Sequence, residues 1–351
     1  MLDKSNRPTI SNCENFFKKQ KEMLEYNFSK EKFFINKDRK HLAYQFWEIC
    51  NIICEEKGYF QISDNEENII DIAPMILNTM IINDSSDKGN EEFKKKFFSR
   101  IKSHKHYEDF LVELYTGYWY ETNNFRVERF EKENYPDMQI KLDKNPFSHF
   151  VECKRLTKKS KNRIQKVITK ANNQLKEAIK DSNYDSFGVL ILDVSALINN
   201  QNKRILDFDS FKVEAKTIRE NILFDIEEIK THIKSSLIDK NHSIGKVILV
   251  WDEFFIVKDP KGMYVAYRLR THTIDSPNLK EFSFCQLPLF DGFTSFYYIG
   301  INTILPTKYN KFVINYYLSS KFESIDWIKI PVANSLDPSF IKIGEEKKID
   351  L

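Results

Sequence analysis

The most constraining feature of this sequence is a short strand-like run that is apolar on both faces. Residues 188–194 read Gly-Val-Leu-Ile-Leu-Asp-Val, without the polar alternation of a half-exposed strand. Such a strand is typical of the centre of a sheet that helices cover on both sides. Amphipathic helical patterns flank it at 163–179 and 211–237, and another apolar strand pattern follows at 246–257. The pattern predicts an α/β fold.

The other predicted elements complete an alternating order around this strand. A long helical pattern at 91–121 precedes three strand patterns, at 125–130, 135–142 and 149–156. Further on, a polar turn leads from the apolar strand at 246–257 into a hairpin partner. The predicted order of the core is therefore α-β-β-β-α-β-α-β.

Composition along the chain indicates three regions. Helical periodicity runs through residues 10–82 and stops at the polar stretch 83–90, which is typical of a linker. Beyond the hairpin, the sequence becomes a series of short aromatic-rich strand patterns, such as 296–301 and 311–318. We predict an N-terminal helical region at 1–90, a core at 91–270 and a C-terminal β-rich region at 271–351.

Overall composition excludes several classes of protein. Hydrophobic residues make up 41% of the 351-residue chain, which excludes wholesale disorder. The 54 Lys and Arg residues against 51 Asp and Glu leave a net charge of +3, too balanced to indicate a nucleic-acid binder by bulk charge. The five cysteines show no zinc-ligand spacing, which favours a reducing compartment. Without an apolar leader or a bilayer-length apolar segment, we expect a soluble, cytoplasmic protein that does not enter a membrane.

The strand pattern at 149–156 carries charges where a central strand is normally apolar. Alternation places Glu152 and Lys154 side by side on one face. Charged side chains in such a strand are unfavourable unless they are paired or bind a ligand. Asp137 opens the preceding strand pattern, and neighbouring strands lie about 4.8 Å apart. Asp137 can therefore meet Glu152 across the sheet if the register allows it.

Two converging carboxylates indicate a cation, because they repel each other unless a positive charge lies between them. Hard oxygen ligands without histidine or cysteine side chains favour Mg²⁺ or Mn²⁺. The neighbouring Lys154 can hold a phosphate oxygen or orient an attacking water. Together these groups suit in-line hydrolysis of a phosphodiester. The alternative is a plain ion pair of Glu152 with Lys154, with Asp137 a strand-entry residue.

The residues that carry this chemistry match a known pattern. Pro136-Asp137 followed by Glu152-Cys153-Lys154, within an α-β-β-β-α-β order, resembles the PD-(D/E)xK nuclease superfamily. The resemblance covers about residues 96–257. It implies a restriction-endonuclease-like core with a mixed central sheet, extended by the N-terminal helical and C-terminal β-rich regions.

The resemblance also implies roles for individual residues. Asp137 and Glu152 would bind the divalent metal, and Lys154 would assist the nucleophilic water. Family members commonly carry an acidic residue on the first core helix, where Glu113 fits, and some carry a glutamine on the helix after the Glu-x-Lys strand, where Gln174 lies. Both residues are also compatible with an ordinary solvated helix surface.

A strongly basic segment begins at the proposed lysine. Residues 154–180 contain ten Lys and Arg residues against one acidic residue, Glu177, for a local charge of +9. A charge run is usually a solvated face, but this position favours a track for a phosphate backbone. The basic cluster of Lys94, Lys95, Lys96, Arg100, Lys102 and Lys105 extends it. The predicted nucleic-acid contacts are Arg155, Lys158, Lys159, Lys161, Arg163, Lys166 and Lys170.

These expectations combine into one functional hypothesis. The chain is predicted to be a Mg²⁺-dependent (or Mn²⁺-dependent) nuclease, an endonuclease rather than an exonuclease, that acts on DNA in restriction, defence or repair. Asp137 and Glu152 would hold the metal, with the Cys153 backbone carbonyl as a further ligand and Glu113 as a supporting one. The alternatives are an inactive nucleic-acid-binding module, an RNA nuclease, and a subunit that docks an acidic protein. Cleavage of both strands would call for two active sites, as in a homodimer.

Overall fold

A computed structural model of the protein describes residues 10–28, 41–55, 78–79, 81–82, 85–86, 88–89, 91–141, 147–202, 205–207, 211–238, 243–259, 262–277, 293–300 and 303–305. The predicted strand at 311–318 lies outside these residues.

The described part of the chain is built around one mixed β-sheet. Its strands are β1 (Arg126–Arg129), β2 (Met138–Lys141), β3 (Phe147–Arg155), β4 (Asp185–Asp193), β5 (Ile205–Asp207), β6 (Ile244–Asp259), β7 (Gly262–Asp275), β8 (Phe293–Gly300) and β9 (Thr303–Leu305). Their spatial order is β1-β2-β3-β4-β6-β7-β8-β9, and β5 pairs with β6 beside this path. The β3-β4 and β4-β6 pairs are parallel, whereas β1-β2, β2-β3 and β6-β7 are antiparallel.

Helices cover both faces of the sheet. They are α1 (Ile10–Asn27), α2 (Leu42–Glu55), α3 (Glu91–Lys102), α4 (His104–Thr122), α5 (Lys161–Lys180), α6 (Ser195–Asn202) and α7 (Phe211–Ser236). Helices α5 and α7 pack on the face that carries Phe150 and Leu190. Helix α4 packs on the opposite face, against β1 and β3. The predicted α/β class is confirmed.

The centre of the sheet has the burial that the apolar run predicted. In β4 the residues from Phe187 through Asp193 are all buried. Helix α5 approaches this strand closely at Gly188, where a Cβ would lie 2.6 Å from the Ser243 carbonyl oxygen and 2.8 Å from Leu175 Cδ1. Glycine is therefore required there by the lack of space rather than by backbone torsion.

Three features differ from the sequence expectation. The helical pattern at 91–121 is two helices, because the chain breaks at Ser103 between α3 and α4. Helix α6 and the short strand β5 fall in a segment where no element was predicted. The boundary placed after residue 270 falls inside β7, and β8 and β9 extend the same sheet. The division into three regions remains a prediction.

Contacts join the N-terminal helices to the core. The His41 ring forms a hydrogen bond between Nε2 and the Ile101 carbonyl at 2.8 Å, and its Nδ1 accepts from the Ala43 amide at 3.1 Å. The Tyr115 hydroxyl of α4 contacts the Asn78 side chain. No helix in the described part of the chain is both long and apolar enough to cross a bilayer.

Candidate active site

The register of β2 against β3 brings the two predicted carboxylates together. Met138 lies opposite Val151, so Asp137 lies beside Glu152 at the point where β2 begins. The Cys153 amide donates to Asp137 Oδ2 at 2.7 Å, and the Phe130 amide donates to the Asp137 carbonyl at 2.8 Å. Asp137 is thus fixed through both its side chain and its backbone.

Glu152 is enclosed by the protein. Its residue is 0% exposed, in the middle of β3 between β2 and β4. One carboxylate oxygen contacts Lys154 Nζ, and the other, Oε2, is buried without a hydrogen-bond partner among the described residues. The Lys154 side chain keeps 24% of its surface exposed. The pair therefore extends from the interior of the sheet to the surface.

The enclosure changes the protonation of these groups. Burial raises the pKa of Glu152 to about 8, and the negative charge of Asp137 adds to the rise while Lys154 opposes it. Burial likewise raises the pKa of Asp137, against the effect of Lys154 and of the Cys153 amide. Burial opposes the charge of Lys154, but the two carboxylates outweigh it and raise the pKa of that ammonium. Lys154 is thus charged, whereas Glu152 carries a proton at neutral pH.

Glu113 lies near this pair and is bound by an arginine. Both of its oxygens contact the Arg100 guanidinium, with Nη1 to Oε2 at 2.8 Å. Nη1 of Arg100 is also 3.1 Å from Glu131 Oε1. Burial raises the pKa of Glu113 well above its ordinary value, the charge of Asp137 adds to the rise, and Arg100 opposes it. Helix α4 therefore delivers Glu113 to the site in contact with Arg100.

Gln174 contacts the backbone that leads into Asp137. Its Nε2 donates to the Tyr135 carbonyl at 2.9 Å, and its Oε1 is buried without a partner among the described residues. Within that part of the chain, no hydrogen bond joins Gln174 to the side chains of Asp137, Glu152 or Lys154. Its place in the site is to hold the start of β2.

The basic segment divides into two groups. The Arg155 guanidinium contacts Glu108 and lies 3.5 Å from Asp193 Oδ2, and Lys159 Nζ is 2.5 Å from Asp225 Oδ1. The charges of Arg155 and Lys159 are therefore engaged within the protein. The remaining predicted contacts are exposed and form no ion pair with another described residue: Lys158, Lys161, Arg163, Lys166 and Lys170.

The carboxylates fit a hard divalent cation. No three His, Cys, Asp or Glu side chains of the described residues are grouped as a metal site, so a cation at Asp137 and Glu152 needs backbone and water ligands as well. Mg²⁺ commonly retains several waters and binds through one or two carboxylates. The unpartnered, buried Oε2 of Glu152 supplies the acceptor that such a cation requires.

Sequence reasoning missed two residues of the site. Arg100 was assigned to the basic cluster on α3, and Glu131 was not singled out. Arg100 reaches Glu113 because the chain turns at Ser103 and folds α3 back on α4. No local pattern indicates that turn, so no sequence signal identified the Arg100–Glu113 pair.

The chain matches no protein-family model and no curated protein.

Proposed function

We propose that the protein is a metal-dependent nuclease that hydrolyses phosphodiester bonds, with DNA as its substrate. The observation that carries the proposal is the buried pairing of Asp137 with Glu152 on adjacent strands, with Lys154 in contact with Glu152 and directed to the surface. Carboxylates in the interior of a sheet are unfavourable for folding. Binding of a catalytic cation would account for their presence there.

The architecture supports a restriction-endonuclease-like core. The order from α4 through β1, β2, β3 and α5 to β4 is the α-β-β-β-α-β order of the PD-(D/E)xK pattern. The antiparallel β2-β3 pair followed by the parallel β3-β4 pair agrees with a mixed central sheet.

Different residues of the chain would bind the metal and position the attacking water. Asp137 and Glu152 would hold Mg²⁺ or Mn²⁺. The Cys153 carbonyl would add a ligand, because the N–H and C=O of one strand residue point to the same side and the Cys153 N–H points to Asp137. A bound divalent cation stabilises negative charge on the phosphate and lowers the pKa of the attacking water. Lys154 would position that water or a phosphate oxygen.

The reaction has simple atom balance. The oxygen of water bonds to phosphorus, one phosphorus–oxygen ester bond breaks, and the leaving oxygen gains a proton, which yields a phosphate monoester and a free hydroxyl. Glu113 and Gln174 act on this reaction indirectly. Glu113 anchors Arg100 beside the carboxylates, and Gln174 holds the backbone before Asp137.

The exposed basic side of α5 supports a nucleic-acid substrate. Arg163, Lys166 and Lys170 are spaced three and four residues apart, so they lie near one another on the helix surface. Gln174 continues this spacing toward the site. Such contacts bind a phosphate backbone without reading bases.

The direct test is cleavage of supercoiled plasmid and of single-stranded DNA in Mg²⁺, Mn²⁺ or EDTA. We expect metal-dependent cleavage that falls at least about a hundredfold in Glu152→Gln and in Lys154→Met. Glu177→Gln, which removes an exposed carboxylate from α5, serves as the matched control and keeps wild-type activity.

Other outcomes point to other functions. Equal cleavage by wild type and Glu152→Gln would rule out this site. Salt-sensitive DNA binding that needs no metal and survives Lys154→Met, without cleavage, would indicate the non-catalytic binding module. Faster cleavage of RNA than of DNA in direct competition would replace DNA as the substrate.

A further inference from the structure

Arg100 occupies an unusual position for a residue of a basic surface cluster. Its guanidinium contacts both oxygens of Glu113 and lies 3.1 Å from Glu131 Oε1. The same group lies over the Phe110 ring, 4.0 Å from the ring centre. A guanidinium held on one side by an aromatic face and on two others by carboxylates has little freedom to move.

The charges around Arg100 can be counted. Lys96 lies 3.7 Å from the other oxygen of Glu131 and 3.2 Å from Glu92 Oε1, and these three outer groups are left out of the count below. The inner part of the site contains three carboxylates and two cations. The carboxylates are Glu113, Asp137 and Glu152, and the cations are Arg100 and Lys154. With Glu152 ionised, as binding of a cation requires, three negative and two positive charges leave −1.

This count distinguishes one bound divalent cation from two. One divalent cation brings the ionised site to +1, which matches the single negative charge of a phosphodiester. A second would bring it to +3 and would have to displace Arg100 from Glu113, because Arg100 already contacts both oxygens of that carboxylate. Arg100 cannot become neutral to make room for a second cation, because a guanidinium group stays protonated in proteins.

We propose that Arg100 is a positioning residue that takes the place of a second divalent cation, so that the site binds a single ion at Asp137 and Glu152. The inference rests on the proposed metal-dependent function. It makes Glu113 the anchor of Arg100 rather than a metal ligand. Half of the positive charge that a second ion would supply is thus built into the fold and is present at any metal concentration.

The test counts bound ions by titrating the full chain with Mn²⁺, followed by isothermal calorimetry and by the electron paramagnetic resonance signal of free Mn²⁺. Wild type is expected to bind one ion. Arg100→Met, which keeps length but removes charge, leaves Glu113 without its cationic partner and is expected to bind two. Arg100→Lys restores the positive charge and is expected to return the count to one.

Two further variants keep the result interpretable. The double variant Arg100→Met/Glu113→Gln removes both charges and leaves no buried Glu113 carboxylate without a partner, so we expect it to fold and to bind one ion. Lys18→Met removes an exposed cation from α1, far from any residue of the proposed site in the chain, and we expect it to bind one ion as wild type does.

Each contrary result of the Mn²⁺ titration would overturn a different part of the proposal. Two ions bound by wild type would overturn the role of Arg100 while leaving the metal site of the proposed function intact. One ion bound by Arg100→Met with unchanged affinity would also overturn it. Absence of Mn²⁺ binding by wild type would overturn the proposed function itself, and the inference with it.

Discussion

Glu152 carries a proton at neutral pH in the metal-free protein, so binding of a divalent cation is expected to release it. Burial and the charge of Asp137 raise the pKa of Glu152 to about 8. A cation favours the ionised carboxylate, because metal ligands must be deprotonated. Metal affinity should therefore rise with pH up to about 8 and level off above it.

The size of the effect follows from that pKa. At pH 7 a group with a pKa of about 8 is about 90% protonated, so each Mn²⁺ bound displaces about 0.9 proton from Glu152 alone. The same proton weakens the apparent affinity by about tenfold at pH 7 and about a hundredfold at pH 6, relative to the limit at high pH. The raised pKa of Asp137 acts in the same direction.

Calorimetry in buffers of different ionisation enthalpy measures the released protons directly. Titrations at pH 7 in PIPES and in Tris give the proton number from the slope of the observed enthalpy, and a series from pH 6 to pH 9 gives the affinity profile. Glu177→Gln is the matched control, with the profile of wild type. Metal binding at pH 7 without proton release, or an affinity that is flat from pH 6 to pH 9, would refute the assignment of Glu152.

Three further predictions address the fold and the basic surface. Gly188→Ala places a Cβ against the Ser243 carbonyl oxygen, 2.6 Å away, and we expect urea unfolding to show a loss of about 2 kcal/mol. His149 is buried with neither ring nitrogen partnered among the described residues, and burial lowers its pKa to about 3, so wild type should lose stability as pH falls from about 6.5 towards 3. His149→Leu should remove that acid sensitivity and raise the free energy of unfolding by about 1 kcal/mol, as thermal melts at pH 5 and pH 8 will show. Lys166→Gln should lower the salt slope of DNA binding by about 1, whereas Lys159→Gln, whose cation is paired with an internal carboxylate, should leave the slope unchanged.

Much of the core could be predicted because its signals are local. The apolar run at 188–194 indicated a buried strand, since a strand that shows no alternation has no solvent-facing side. The 3.6-residue period identified α5 and α7, and the two-residue period placed Glu152 and Lys154 on one face. Each of these signals depends only on residues within about two turns or one strand of each other.

Other features could not be predicted because they depend on contacts between distant segments. The Arg100–Glu113 pair depends on how α3 folds against α4. The engagement of Arg155 depends on Asp193, which β4 brings alongside the end of β3. A charge count over the sequence treats Arg155 as exposed to solvent. In the fold, the Asp193 carboxylate lies beside its guanidinium group. Long-range pairing therefore decides which members of a basic run face the solvent.

The position of the carboxylates links folding stability to function. Glu152 lies in a strand whose neighbours on both sides are buried, and ionisation there is opposed by burial and by Asp137. Lys154 offsets only part of that opposition, so stability alone gives no reason for a carboxylate at this position. The same enclosure would suit the proposed cation site, because a low-dielectric surrounding strengthens the attraction between cation and carboxylate. In the proposed function, binding of a divalent cation would thereby recover folding free energy that the buried carboxylates remove.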